Sequence, residues 1–335
     1  MRARFFIPVK PIAVHCCVIA VLLISGCDSA KNKRDMHSEI FGKLIIFHAG
    51  SLSVPLHEMA DSFQTRYPGV TIELESSGSV DAARKITDLN RKADIMASAD
   101  YKVIDKLMIP KYTEWLIKFA ANEMSLVYDE DSKYASQITQ DNWHEIILRD
   151  DVFYGRSDPD SDPCGYRTVL TARLSEDHYQ KTGFAAKLLN KNQNFIRPKE
   201  TDLLALLESN ALDYIFLYRS VAEQHGLEYI TLPDSINLGN PGMEEHYKKV
   251  HVEIAGKKPG EKMTMQGEPM VYGVTMLKEA PNPQAASEFL HFMLSKEQGL
   301  KIMKKNGQPP LVPATTETYG RIPAAFKNYA RGIEK

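Results

Sequence analysis

The sequence predicts an α/β protein of two lobes, each with a central sheet flanked by helices. Three observations predict it. Apolar strand-like runs alternate with helical periodicities from residue 43 onward. Short turns rich in glycine and serine separate them. The body, roughly 300 residues once an N-terminal signal is set aside, is long enough for two cores.

The elements follow in order. Residues 43–48 form a continuous apolar run, as a strand covered on both faces requires. Leu56, Met59, Ala60 and Phe63 then recur at helical spacing. Pro68-Gly69 ends that helix before a strand at 70–74. A turn at 76–79 leads into a helix carrying Val80, Ala83 and Ile86, a third strand at 93–97 and a third helix at 101–108. This alternation argues for a parallel sheet. A strand at 124–128 opens a second block, with a helix from about Pro163 and a strand at 213–217. An apolar strand at 270–275 and two amphipathic helices at 281–305 close the chain, with Ala285, Phe289, Phe292, Met293 and Leu300 facing inward.

The N-terminus reads as an export signal. Arg2, Arg4 and Lys10 precede an apolar stretch at 12–24, and Ile24-Ser25-Gly26-Cys27 follows. The stretch is too short to span a membrane. Its ending resembles the lipobox of bacterial lipoproteins, which makes residues 1–26 a removable signal, Cys27 the lipid anchor and 27–39 a polar tether. Cys16 and Cys17 leave with the signal, so Cys164 remains as the one free thiol and no intramolecular disulfide is expected. The whole chain carries −2, and loss of three unopposed positive charges leaves −5. No basic patch suggests nucleic acid.

Candidate chemistry sits at helix starts. Gly50-Ser51 lies between a strand and a helix, where unpaired N–H groups and a partial positive charge make an anion site without a cationic side chain. Simple capping by Ser51 or Ser53 explains the pattern as well. Ser77-Gly78-Ser79 repeats it, and parallel strands put both turns at one edge. Asp158, Asp160 and Asp162 begin a calcium-loop spacing, but Pro163 and Val169 stand where that loop needs glycine and glutamate. Asp162 reads instead as an N-cap, with Pro163 the first helical residue.

Ala-Gly-Ser-Leu at 49–52, Ser-Gly-Ser-Val at 77–80, Ala-Asp-Ile-Met-Ala-Ser-Ala-Asp-Tyr at 93–101, Asp-Pro-Cys-Gly-Tyr-Arg at 162–167 and Tyr-Arg-Ser-Val-Ala-Glu-Gln-His-Gly at 218–226 occur in one order. Together they resemble the tungstate/molybdate-binding proteins of ABC importers, in particular the tungstate-binding subfamily, from about Lys43 to the C-terminal helices. The resemblance implies a type II periplasmic-binding-protein fold with a two-strand hinge. Residues 40–121 plus 271–335 would form lobe I and 122–270 lobe II, with crossings near 122–128 and 265–275. It implies capture of tungstate or molybdate in the cleft by Gly50, Ser51, Ser79, Asp162, Pro163 and Cys164, with Tyr218 nearby, and no cofactor. Asp162 would bond directly to the metal of the oxyanion. The partner would be an ABC permease with a separate ATPase, and the protein a monomer anchored outside a bacterial membrane. The subfamily pattern leads to a second carboxylate just before Tyr218, where this chain has Leu217. That departure leaves tetrahedral, five- and six-coordinate arrangements open.

Other readings are weaker. Sulfate or phosphate is the alternative ligand class. A secreted hydrolase using Cys164 is the alternative of a different kind, since a helix start lowers a thiol pKa. No G-x-S-x-G elbow, S-x-x-K pair or phosphate-binding GK[ST] loop occurs. His48, after the first strand, reads as structural, and Met263, Met265 and Met270 as packing.

Overall fold

The computed structural model describes residues 40–258 and 260–333. The expected signal (1–26), the Cys27 anchor and the tether (27–39) lie outside the described residues.

Two five-stranded sheets organise the body. The first contains β1 (Gly42–Ala49), β2 (Val70–Ser77), β3 (Ile95–Ser98) and β4 (Ile117–Ala121). The second contains β5 (Met124–Tyr128), β6 (Tyr154–Ser157), β7 (Ile196–Arg197), β8 (Tyr214–Tyr218) and β9 (Glu228–Thr231), in the order β7-β6-β8-β5-β9. A two-stranded hairpin follows, β10 (His251–Ala255) with β11 (Lys262–Gln266). The chain then returns as β12 (Val271–Met276), which inserts between β3 and β4 to give the order β2-β1-β3-β12-β4. It therefore passes between the sheets at 121–124 and again at 266–271.

The first sheet is mixed, which corrects the expectation of a parallel one. β1 runs parallel to β2 and β3, whereas β12 is antiparallel to both of its neighbours. Alternation along the chain reports only the βαβ units; a strand arriving from the other sheet has no local signal of its direction.

Helix Ser53–Arg66 buries Leu56, Met59, Ala60 and Phe63, and Phe63 meets Phe289 and Phe292 edge-on at 5.3 and 5.7 Å. The latter two belong to helix Pro283–Met293, whose inward residues are the expected ones. The third helix starts as a short α-turn, Tyr101–Val103, and widens into a π-helix, Ile104–Met108. In the second core Trp143 is fully buried, with Tyr179, Phe184 and Phe216 set edge-on around it.

Helix Pro163–His178 is buried over most of its first three turns. Gly165 lets it seat against the preceding loop: a Cβ there would fall 2.5 Å from Ser157 O and 2.6 Å from Pro159 N. Backbone cannot give way as a flexible side chain can. Gly165→Ala is expected to destabilise the protein by about 1–3 kcal/mol, as overpacking does, read from the denaturant midpoint; an unchanged midpoint would show that the loop adapts without cost.

Candidate functional site

The strand register builds one edge of the site. Ala49 pairs with Ser77 across β1 and β2, and His48 with Ala97 across β1 and β3. The segments beginning at Gly50, Gly78 and Ala99 therefore leave the sheet side by side, as ligand sites of α/β sheets require. Gly50–Leu52 is a short 3-10 turn leading into helix Ser53–Arg66, and neither Ser51 nor Ser53 caps that helix with its side chain. Ser51 is buried; Tyr272 OH donates to its Oγ at 3.0 Å and Gln308 Nε2 to its carbonyl at 2.9 Å. Asn122 Nδ2 donates to Tyr272 OH at 2.8 Å and to Ser220 Oγ at 2.7 Å. Ser51 is thereby tied to both passages between the sheets.

Ser79 is buried and accepts the Ala99 N–H at 3.0 Å. The next two amides of its helix, Val80 and Asp81, both donate to Ser161 O at 3.1 Å. Those helix-start donors are thus satisfied by the loop that follows the second sheet's β6, and the edges of the two sheets meet there. A Cβ on Gly78 would lie 2.4 Å from the same carbonyl.

From the second sheet comes helix Pro163–His178, with Asp162 as its extended N-cap and proline in its first turn, as the sequence indicated. Asp162 is buried; Oδ1 accepts the Cys164 N–H at 3.3 Å and Oδ2 the Glu200 N–H at 3.0 Å. Glu200, the first residue of the 3-10 turn Glu200–Leu203, is also fully buried. Neither of its carboxyl oxygens has a hydrogen-bond partner, and both lie 2.8 Å from where a Cβ on Gly50 would stand. Gly50 is what lets this carboxyl approach the first sheet's edge. Burial, followed by the neighbouring Asp162 charge, pushes Glu200 well above the usual carboxylate range. Burial raises Asp162 as well, opposed by nearby Glu200 and Ser157 and by the Cys164 and Glu200 amides that donate to it.

The structure thus gathers Gly50, Ser51, Asp162, Pro163 and Cys164 with a second carboxylate that the sequence reading sought beside Leu217. Leu217 is in the core, on β8. Glu200 had a signal: with Leu203, Leu204 and Leu207 it forms one apolar helical stripe, and a charged residue on such a stripe is out of place. Ser157, buried at the end of β6 without a partner for its Oγ, was also missed, and no pattern marks it.

Two expectations are corrected or refined. Cys164 has no activated thiol. It is buried, its Sγ donates to Phe216 O at 3.6 Å, and burial pushes its pKa well above the ordinary value, reinforced by Asp162 and Glu200. Desolvation outweighs the helix start. His48 is buried with Nδ1 bonded to Ala49 O at 2.8 Å, but Nε2 has no partner, and burial lowers its pKa to about 4. Tyr218 is buried and accepts a bond from Arg167 Nη1 at 3.1 Å.

Comparison with known proteins adds a separate line of observation. The family of bacterial extracellular solute-binding proteins matches residues 44–308. An uncharacterized solute-binding protein of Petrotoga mobilis is 47% identical over 298 residues, covering 89% of this chain and 92% of that one. The molybdate/tungstate-binding protein WtpA of Thermococcus kodakarensis is 42% identical over 340 residues, covering 92% and 94%. Among solved structures, the periplasmic molybdate-binding protein of Azotobacter vinelandii superposes with a TM-score of 0.55 at 16% identity over 80% of this chain and 99% of that one, a likeness of fold.

A carboxyl whose pKa is raised by folding contributes stability that is complete below its unfolded pKa and is lost as pH rises toward the folded one. Glu200→Gln in the ligand-free protein is therefore expected to raise stability at pH 7.5 by roughly 1–3 kcal/mol. The gain should shrink toward zero as pH falls through the ordinary carboxylate range. Chemical denaturation at several pH values measures it; a destabilised variant at pH 7.5 would contradict the assigned environment.

Proposed function

Because the chain belongs to the bacterial extracellular solute-binding protein family, together with its molybdate/tungstate-binding relatives, we propose that it captures tungstate or molybdate between two lobes and delivers it to an ABC permease. It is a binding protein rather than an enzyme, as its relatives are. In this reading the lobes are residues 40–121 plus 271–335 and residues 122–270, and the mature chain is a monomer held outside a bacterial membrane through Cys27. The permease and its ATPase are separate chains.

One observation carries the choice of ligand: two buried carboxyl groups, Asp162 and Glu200, come together against the turn at Gly50 that opens the first helix. An ionised carboxylate facing a dianion at 4 Å costs about 2 kcal/mol in water and several-fold more in a dry site. Sulfate has no proton with which to offset this, hydrogen phosphate has one P–O–H to donate, and neither sulfur nor phosphorus readily accepts further carboxylate ligands. Tungsten and molybdenum do. Bonded directly to the metal of the oxyanion, each carboxylate changes from a repelling charge into a ligand, and the coordination expands toward six oxygens. Gly50, Ser51 and Ser79 would hold the oxo groups from the first lobe; the Cys164 amide would do so from the second, where Pro163, which has no N–H, sets the start of the helix, and Tyr218 stands behind as a support.

Calorimetry with tungstate, molybdate, sulfate and phosphate tests this. Tungstate or molybdate is expected to bind tightly, and Asp162→Ala or Glu200→Ala to weaken that binding about 100-fold or more, near 2.7 kcal/mol, with a much smaller effect on any sulfate binding. Tight sulfate binding with no tungstate binding would overturn the assignment. Equal losses for both anions would reduce Asp162 to a helix cap.

A further inference from the structure

Helix Pro163–His178 carries a second buried acidic contact, five residues beyond Asp162. Asp100 follows β3 of the first sheet and caps the turn Tyr101–Val103, its Oδ1 accepting the Lys102 N–H at 2.8 Å. Its Oδ2 accepts from Tyr166 OH at 2.6 Å and pairs with Arg167 Nη2 at 2.9 Å. Arg167 Nη1 donates to Ala99 O at 2.9 Å and to Tyr218 OH at 3.1 Å. Asp100 is 3% exposed and Arg167 2%. The acid hangs from the first sheet, and the tyrosine and arginine from the helix packed on the second. Among the described residues, backbone joins the two sheets only near 121–124 and 266–271.

We propose that Asp100, Tyr166 and Arg167 form the latch that holds the two halves closed over a bound oxyanion, and that they position Ser79 as a donor to it. The inference rests on the binding reading above. The second part follows from Ala99. Its carbonyl is held by Arg167, and its N–H occupies a lone pair of Ser79 Oγ. With that lone pair engaged, the hydroxyl hydrogen of Ser79 is directed elsewhere, so closure at Arg167 and orientation at Ser79 are one event. Ser98 stiffens the same loop: its Oγ donates to Asp100 O at 2.6 Å and accepts the Asp100 N–H at 3.1 Å.

A latch differs from a strut. When the halves part, both charges regain water, so the pair contributes little to a ligand-free open protein. When they close, each charge loses water and is supported chiefly by the other and by its hydrogen bonds, with Glu268 close enough to act on both. Removing one partner therefore penalises the closed form alone. These are positioning residues: their polar atoms are committed to one another, to Ala99 O and to Tyr218.

The test is stopped-flow binding of tungstate to wild type, Asp100→Asn, Arg167→Lys and the Asp100→Asn/Arg167→Gln double variant, with thermal midpoints of each protein without ligand. Each single change is expected to raise the dissociation rate about tenfold or more while leaving association within about threefold. Ligand-free midpoints should stay close to wild type. The double variant should lose less than the two singles combined, because it leaves no unpaired charge. Unchanged dissociation rates, or lowered ligand-free midpoints with unchanged dissociation, would overturn the latch. Wild type is run in parallel against molybdate, sulfate and phosphate. Failure to bind any of the four overturns the binding reading and the latch with it, whereas normal binding with unaltered dissociation overturns the latch alone.

Discussion

Asp162 and Glu200 place two carboxyl groups beside each other out of water, and the rest of the architecture is arranged around that conflict. Burying a single carboxylate costs several kcal/mol unless it is paired, and here the neighbour of each is another acid. Asp162 is partly compensated by two backbone amides. Glu200 has no hydrogen-bond partner for either oxygen. No arginine or lysine among the described residues forms an ion pair with either one, and Arg167 is committed to Asp100. Folding gains nothing from this pairing. An arrangement that costs stability at one place, with neighbouring loops shaped to permit it, is what a site built for a particular ligand looks like.

The surroundings explain how the conflict is held in place. Gly50 brings the first sheet's edge against Glu200, and Gly78 admits the carbonyl of Ser161. Helix Pro163–His178 then serves two ends. Its N-cap supplies Asp162, and its second turn supplies Tyr166 and Arg167, which reach across to Asp100. At the other side, Asn122, Tyr272 and Gln308 tie Ser51 to the strands that pass between the sheets. On the proposed reading, a rotation about those passages is felt at Ser51, and a contact made by the ligand is felt at the latch.

Much of this was legible in the sequence because it is local. Each strand-to-helix turn of the first sheet, the capping role of Asp162 and the inward faces of helices Ser53–Arg66 and Pro283–Met293 follow from spacing alone. What escaped depends on distance along the chain. The antiparallel entry of β12 is decided by where the chain has been, and nothing within the strand records it. The motif pattern points to a second carboxylate beside Tyr218, whereas folding brings the 3-10 turn at Glu200 to Asp162 from a separate part of the chain. The place of Glu200 on an apolar helical stripe was the available clue. The weaker alternative of a reactive Cys164 thiol meets a different obstacle. A helix start favours thiolate, but complete burial and two nearby acids oppose it more strongly, and burial cannot be seen in a motif.

The central claim is that these two carboxylates bind the metal of the oxyanion directly. X-ray absorption at the tungsten edge of the tungstate-loaded protein tests it without any substitution. The account predicts a first shell of six oxygens, with two longer bonds beyond the four oxo groups, and loss of the pre-edge signature of a tetrahedral centre. A spectrum matching free tungstate, with four equivalent oxygens, would contradict it.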